Sequence, residues 1–155
     1  MQVICIWYKL DSLMVKTKNN PKKLLTESGL KATFARMAIL KIFSRLCKPL
    51  NTSEVYKKVR AKKIDSVTVY RTLKTFEQKK ILRIVDLRRE SVYYELDLLN
   101  HHHHISCLKC KIIEPINFCD INYLSEKIMK QSKKFTNINQ HSLELFGLCK
   151  ACSRR

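Results

Sequence analysis

Ser66-Val67-Thr68-Val69-Tyr70-Arg71-Thr72-Leu73-Lys74-Thr75-Phe76, then Ile81-Leu82-Arg83-Ile84-Val85-Asp86-Leu87 and, across Arg88-Arg89-Glu90-Ser91, Val92-Tyr93-Tyr94-Glu95-Leu96, decide the fold. In the first run Val69, Leu73 and Phe76 fall at i, i+4 and i+7. They form the buried stripe of a helix begun at Asp65 or Ser66, which turns Thr68, Arg71, Lys74 and Thr75 to the surface. The other two runs are β-prone and joined by a short polar turn, the pattern of a hairpin. A surface helix with hydroxyl and guanidinium groups at its front, followed by a hairpin, predicts a winged helix.

Upstream, Pro21 opens a short helix through Glu27 and Gly29 ends it, since glycine tolerates the left-handed conformation. Thr33 caps a second helix, whose Met37, Leu40, Phe43 and Cys47 recur at helical spacing until Pro49 stops it. Asn51-Thr52-Ser53-Glu54 caps a third, which carries Val55, Tyr56 and Val59 and ends in the basic run Lys57 to Lys63. Residues 1–85 hold 20 basic and 5 acidic side chains (+15), against 11 and 8 (+3) in residues 86–155, together the net +18 of the whole chain. A charge this large and lopsided predicts an anionic partner for the first half. DNA fits it best: Arg71 suits guanine edges, Thr68 suits thymine methyls, and Arg88 and Arg89 at the wing tip suit phosphates or the minor groove.

Gly29 and Gly147 are the only glycines, so no phosphate-cradling glycine loop exists and nucleotide-binding P-loop and dinucleotide folds are excluded. No run approaches the ~18 apolar residues that cross a membrane, and Met1 to Tyr8 lacks the flanks of a signal peptide. The chain is read as cytoplasmic. Thiols stay reduced there, so the 7 cysteines point to metal ligation and not to disulfides.

Cys107-Leu108-Lys109-Cys110 and Cys149-Lys150-Ala151-Cys152 each place two thiolates on a tight turn, and two such pairs complete a tetrahedron around one structural Zn²⁺. Neither pair has the βαβ context of a thiol redox motif. The 38 residues between the pairs exceed the spacing of a zinc ribbon, so the metal would join remote segments, with a helix (about Asp120 to Lys134) and a strand (Ser142 to Phe146) between them. Cys5, Cys47 and Cys119 have no such partner and read as plain thiols. His101-His102-His103-His104 runs into the first pair. On a strand His102 and His104 share one face and His101 and His103 the other, so one strand can serve two sites. Glu95, Glu114 and His141 are further N and O donors, and the mixed set suits Zn²⁺ or Fe²⁺ better than Ca²⁺.

Taken together, Gly29-Leu30-Lys31-Ala32-Thr33 with Arg36, Thr68-Val69-Tyr70-Arg71-Thr72-Leu73, HHHHISCLKCKIIE from His101 to Glu114, and HSLELFGLCKAC from His141 to Cys152 resemble the ferric uptake regulator (Fur) family of metal-dependent bacterial repressors over about Leu24 to Ser153. The resemblance implies an α+β chain: a winged helix-turn-helix DNA-binding domain (residues 21–97), then a small α/β dimerisation domain with a structural zinc site (residues 101–153). Residues 1–20 are expected to form a poorly ordered N-terminal extension. Lys31 would enter the minor groove, and Tyr70 and Arg71 match major-groove residues. The four paired cysteines match the structural zinc site. Glu95, His102, His104 and Glu114 match the hinge regulatory ligands, and His101, His103 and His141 an additional site. The regulatory ion would be Fe²⁺, Zn²⁺ or Mn²⁺. A homodimer would repress by binding an inverted-repeat operator, with no membrane partner, no small-molecule substrate and no catalysis.

This sequence departs from the family pattern in several places. The segment Lys48-Pro49-Leu50 lacks the usual bridging His, which makes constitutive DNA binding with purely structural zinc the competing expectation. The carboxylate of the additional site falls near Ile121, with only Asp120 adjacent. Lys111 replaces the Gly after the first cysteine pair and the wing turn has none, so both turns are expected to adopt other geometries. Met1 to Leu13 lie outside the resemblance, and a start at Met14 is expected. A zinc hydrolase using the histidines with Glu95 or Glu114 as base lacks cleft-forming loops; a single-stranded RNA module would need exposed aromatics.

Overall fold

The computed structural model describes residues 20–46, 48–97 and 102–154. The expected extension short of Asn20, the Met14 start, Cys5, Cys47 and His101 lie outside the described residues. The chain forms two compact units, one up to Leu98 and one from Leu99. None of the described helices is long and apolar enough to cross a membrane.

Among the described residues the first unit holds four helices and a three-stranded sheet: α1 (Pro21–Glu27), α2 (Phe34–Leu46), β1 (Leu50–Asn51), α3 (Thr52–Val59), a 3-10 turn (Arg60–Lys62), α4 (Ser66–Gln78), β2 (Leu82–Val85) and β3 (Tyr93–Leu96). All four of these helices begin where a short polar side chain satisfies amides that no helical carbonyl can reach, and at α2 it is Thr33 Oγ1 that accepts from the Arg36 amide at 3.4 Å. Asn20 accepts from the amides of Lys22 and Lys23, Asn51 exchanges bonds with Glu54 in a capping box, and Asp65 accepts from Thr68. Asn20 is thereby part of the folded unit and not of an extension. The expected stripe of α4 is wholly buried: Val69, Leu73 and Phe76 are inaccessible and pack with Leu25, Ile39, Leu40, Phe43, Val55 and Val59 in one core.

The hairpin is shorter than the β-prone runs. β2 pairs antiparallel with β3, Leu82 opposite Leu96 and Val85 opposite Tyr93; Asp86 and Leu87 leave the strand because the Asp86 carboxylate accepts the Arg88 amide at 2.9 Å. β1 pairs with the other edge of β3, giving the order β1-β3-β2. The central position of β3 explains why Tyr93, Tyr94, Glu95 and Leu96 are all buried. The unit is a winged helix-turn-helix.

The expectation that turns lacking glycine take other geometries is corrected. Arg88 (φ 50°) and Lys111 (φ 64°) occupy the left-handed region themselves, as do Lys63 and Lys80. Local hydrogen bonds hold them there, Asp86 for Arg88 and the Cys107 carbonyl for the Lys111 amide, at a cost to any residue with a Cβ.

The second unit comprises β4 (His103–Cys107), β5 (Ile113–Ile116), α5 (Ile121–Gln131), β6 (Glu144–Gly147) and α6 (Lys150–Ser153). The sheet order is β5-β4-β6, with β4 antiparallel to β5 and parallel to β6. The helix expected to reach Lys134 stops at Gln131, where the Ser132 amide closes the last turn onto the Ile128 and Met129 carbonyls. Among the described residues of this unit the buried ones are His102, His103, His104, Ser106 and Cys107. Its interior is therefore made of potential metal ligands, not hydrocarbon. Leu124 and Ile128 of α5, Ile105 and Leu145 of the sheet, and Phe118 and Phe135 are exposed.

Candidate metal centre and nucleic-acid interface

The four paired cysteines meet. Cys107 closes β4, its pair partner Cys110 follows on the turn, Cys149 caps α6 and Cys152 lies within that helix. One sulfur from each lies within 4.8 Å of the others, and Cys110 Sγ is 3.6 Å from Cys149 Sγ. Four ligands at Zn–S ~2.3 Å in a tetrahedron imply sulfurs roughly 3.8 Å apart, so the residues fit the ion. The Cys149 amide donates to Cys107 Sγ; this bond, with those from the Cys110 and Lys109 amides, pulls the Cys107 thiol down to about 6. Cys152 is pushed up to about 12, first by its bond to Cys149 and then by burial and the other sulfurs. Crowding four thiols makes the last thiolate unfavourable unless a cation joins it. The bond set suits that cation.

On β4 the histidines divide by strand alternation. The His102 and His104 rings face each other edge-on with centroids 4.9 Å apart. His104 lies opposite Glu144 in the parallel register of β6, with Nδ1 3.6 Å from Glu144 Oε2. The sequence placed Glu144 within the strand Ser142 to Phe146 without a ligand role; the signal that could have found it is its place in that alternation, once β6 is paired with β4. Glu114 behaves otherwise than expected. It pairs with Ile105, so its side chain leaves on the face opposite His104, and it is exposed. Register thus separates it from the two histidines it was grouped with.

The His103 and His141 rings lie with centroids 5.3 Å apart and planes tilted by 52°, and Cys119 Sγ lies 3.3 Å from His141 Nε2. Cys119, read from the sequence as a plain thiol, is corrected to a member of this cluster; Asp120 and Ile121, nearest the family's carboxylate position, are not in it. Glu95, in the first unit, is buried and accepts from Arg83 through Nε at 2.7 Å and Nη2 at 2.6 Å, a guanidinium partner that sequence reading missed.

The basic unit presents its expected DNA residues unequally. Tyr70 and Arg71 on α4 are exposed, as is Lys31. The Lys31 carbonyl accepts from Arg36 Nη1 at 3.0 Å, which fixes the loop that carries it. Thr68 is engaged in the cap, its hydroxyl donating to Asp65 Oδ2 at 2.7 Å, which leaves its methyl for contacts. Arg88 is exposed, but Arg89 folds back over the Tyr93 ring and donates to the Tyr93 hydroxyl at 3.3 Å. That hydroxyl also accepts from Asn51 Nδ2, so Arg89 ties the wing to the start of α3. Between the starts of α3 and α4 and the wing lies a cleft of about 500 Å³, lined by Thr52, Ser53, Tyr56, Ser66, Tyr70, Ser91, Val92 and Tyr94, its wall more apolar than polar.

Residues 27–146, covering α2 through most of β6, match the profile of the Ferric uptake regulator family. The chain belongs to the ferric uptake regulator family. It is a family of metal-responsive transcription regulators. The ferric uptake regulation protein of Neisseria gonorrhoeae is 33% identical over 134 residues, covering 84% of this chain and 92% of its own. The solved ferric uptake regulator of Francisella tularensis with iron is 32% identical at a TM-score of 0.70, covering 81% of this chain and 96% of that one. That of Vibrio cholerae is 28% identical at a TM-score of 0.71, covering 83% and 98%. Where the resemblance led to the expectation of a bridging His, Pro49 and Leu50 are buried at the approach to β1, and Ile121 opens α5.

Proposed function

We propose that the chain is a homodimeric regulator that binds double-stranded operator DNA as an inverted repeat when a divalent ion, Fe²⁺, Zn²⁺ or Mn²⁺, occupies its regulatory site. The observation that carries this reading is the pairing, in one chain, of an exposed recognition helix with a second unit whose buried side chains are His, Ser and Cys. With no hydrocarbon core among its described residues, the second unit would take its stable conformation from metal and from what covers its apolar surface. Cys107, Cys110, Cys149 and Cys152 would hold Zn²⁺, which supplies ligation energy and no chemistry. His102 and His104 would take the regulatory ion, with Glu144 orienting His104; the family resemblance adds Glu95. His103 and His141 would serve the additional site, to which the resemblance also assigns His101. Exposed Leu124, Ile128, Ile105 and Leu145 support a second copy as the partner of this unit.

In the DNA-binding unit, Arg71 and Tyr70 would read base edges, Lys31 would reach the minor groove, Arg88 would hold phosphate, and Thr68 would set the front of the helix. Ligand control follows if the metal-loaded conformation binds DNA better than the metal-free one, because a ligand shifts an equilibrium only through its differential affinity. Gel shifts with and without a chelator, at a level that leaves the cysteine-bound zinc in place, test this. The reading expects the shifted complex to be lost and then restored by added divalent metal; equal shifts in both lanes would overturn it in favour of constitutive binding.

A further inference from the structure

His103, Cys119 and His141 come from three separate segments: the start of β4, the link between β5 and α5, and the approach to β6. One ligand atom from each lies within 4.8 Å of the others. His103 is only 3% exposed, and the sulfur sits 3.3 Å from His141 Nε2. Zn–S ~2.3 Å and Zn–N ~2.0–2.1 Å at a tetrahedral angle put sulfur and nitrogen roughly 3.5 Å apart, within a few tenths of the separation found. Strand alternation places His103 on the face of β4 opposite His104, so this cluster is separate from the His102 and His104 pair. Nor does it share a residue with the cysteine quartet.

We propose that Cys119 is a metal ligand, completing with His103 and His141 a Cys-His₂ site that selects Zn²⁺ over Fe²⁺ and Mn²⁺. Ligand chemistry sets the selectivity. A carboxylate at this point would suit Mn²⁺ or Fe²⁺, whereas a thiolate beside two imidazoles suits borderline-soft Zn²⁺. The sulfur thus takes the place of the oxygen donor that Ile121 cannot supply. The inference rests on the reading of His103 and His141 as ligands, and it stands whether or not this site influences DNA binding.

The test is an anaerobic Co²⁺ titration of the full-length protein with its cysteine quartet filled with zinc. Co²⁺ takes the tetrahedral positions of Zn²⁺ and reports each thiolate through a sulfur-to-metal charge-transfer band. The expected result is a near-ultraviolet band with tetrahedral visible bands, abolished by Zn²⁺, absent in Cys119→Ser, and kept in His102→Ala. Zn²⁺ affinity at this site should fall at least about tenfold in Cys119→Ser. Cys119→Asp should still bind Co²⁺, without the band, and should favour Mn²⁺ relative to Zn²⁺. Co²⁺ bound with no charge-transfer band would overturn the proposal and leave a thiol–imidazole hydrogen bond; an unchanged band in Cys119→Ser would place the ion in the quartet and overturn it equally. Since DNA binding can be measured on the same preparations, failure here is distinguishable from failure of the regulator reading.

Discussion

His104 Nδ1 faces Glu144 Oε2 across 3.6 Å in the paired strands β4 and β6. A closure of a few tenths of an ångström would let the carboxylate accept from that nitrogen, and an imidazole so held presents its other nitrogen to a metal in a fixed tautomer. Glu144→Gln keeps the shape and removes the charge. It should weaken regulatory metal binding ~10–100-fold with zinc in the cysteine quartet undiminished. Calorimetric titration with elemental analysis checks both, and unchanged affinity would remove Glu144 from the site.

Specific and general DNA contacts should separate between α4 and the wing. Arg71→Ala should cost ~1–3 kcal/mol on operator DNA and little on random duplex. Arg88→Ala should weaken both alike and lower the salt slope by about 0.9. Arg89, held on Tyr93, should act mainly through the wing's position, so Arg89→Ala should leave a salt slope closer to the parent than Arg88→Ala does. Affinity as a function of salt concentration on two duplexes distinguishes the three variants.

Lys80 ends α4 in the left-handed conformation at φ 53°, where the Ile81 amide reaches back to the Phe76 carbonyl at 2.9 Å. That conformation costs a residue with a Cβ ~1–2 kcal/mol, partly offset by the ~0.5–1 kcal/mol that glycine loses in chain entropy. Lys80→Gly should therefore stabilise the first unit by about 0.5–1 kcal/mol, a rise in Tm of roughly 2–8 °C. Thermal unfolding followed by circular dichroism tests the sign.

Asp65 caps α4, and the Thr68 amide first, then its hydroxyl, hold the carboxyl below its ordinary value of 3.8. A depressed folded value contributes stability that is complete above the unfolded value and is lost as pH falls through the folded one. Asn at this position caps without ionising. The difference in urea midpoint between the parent and Asp65→Asn should hold constant from pH 7 down to about pH 5 and then shift against the parent in more acid solution. A difference that stays constant through pH 3 would deny the charged cap its role.

Much of this was legible because it is local. The stripe Val69, Leu73 and Phe76 needs only a helical period, and Cys107, Cys110, Cys149 and Cys152 announce their chemistry by spacing. The glycine rule failed at Arg88 and Lys111 because a hydrogen bond from a neighbour, invisible to a residue count, holds each in place. Glu144 was missed and Glu114 misgrouped for one reason: the partner of a side chain in a sheet depends on register between remote strands, and a shift of one residue reverses its face. Cys119 is the extreme case, since its neighbours His103 and His141 stand 16 and 22 positions away in the chain and meet it only through β4 and the segment before β6.

Linkage gives the most direct test of metal-controlled DNA binding. If metal raises operator affinity by some factor, operator DNA must raise metal affinity by the same factor, commonly ~5–150-fold in such systems. Regulatory metal affinity should be measured on protein with its cysteine zinc in place, alone and saturated with operator duplex. Metal should bind more tightly on DNA, by the factor by which metal tightens DNA binding; a metal affinity indifferent to the duplex would rule out metal control of operator binding.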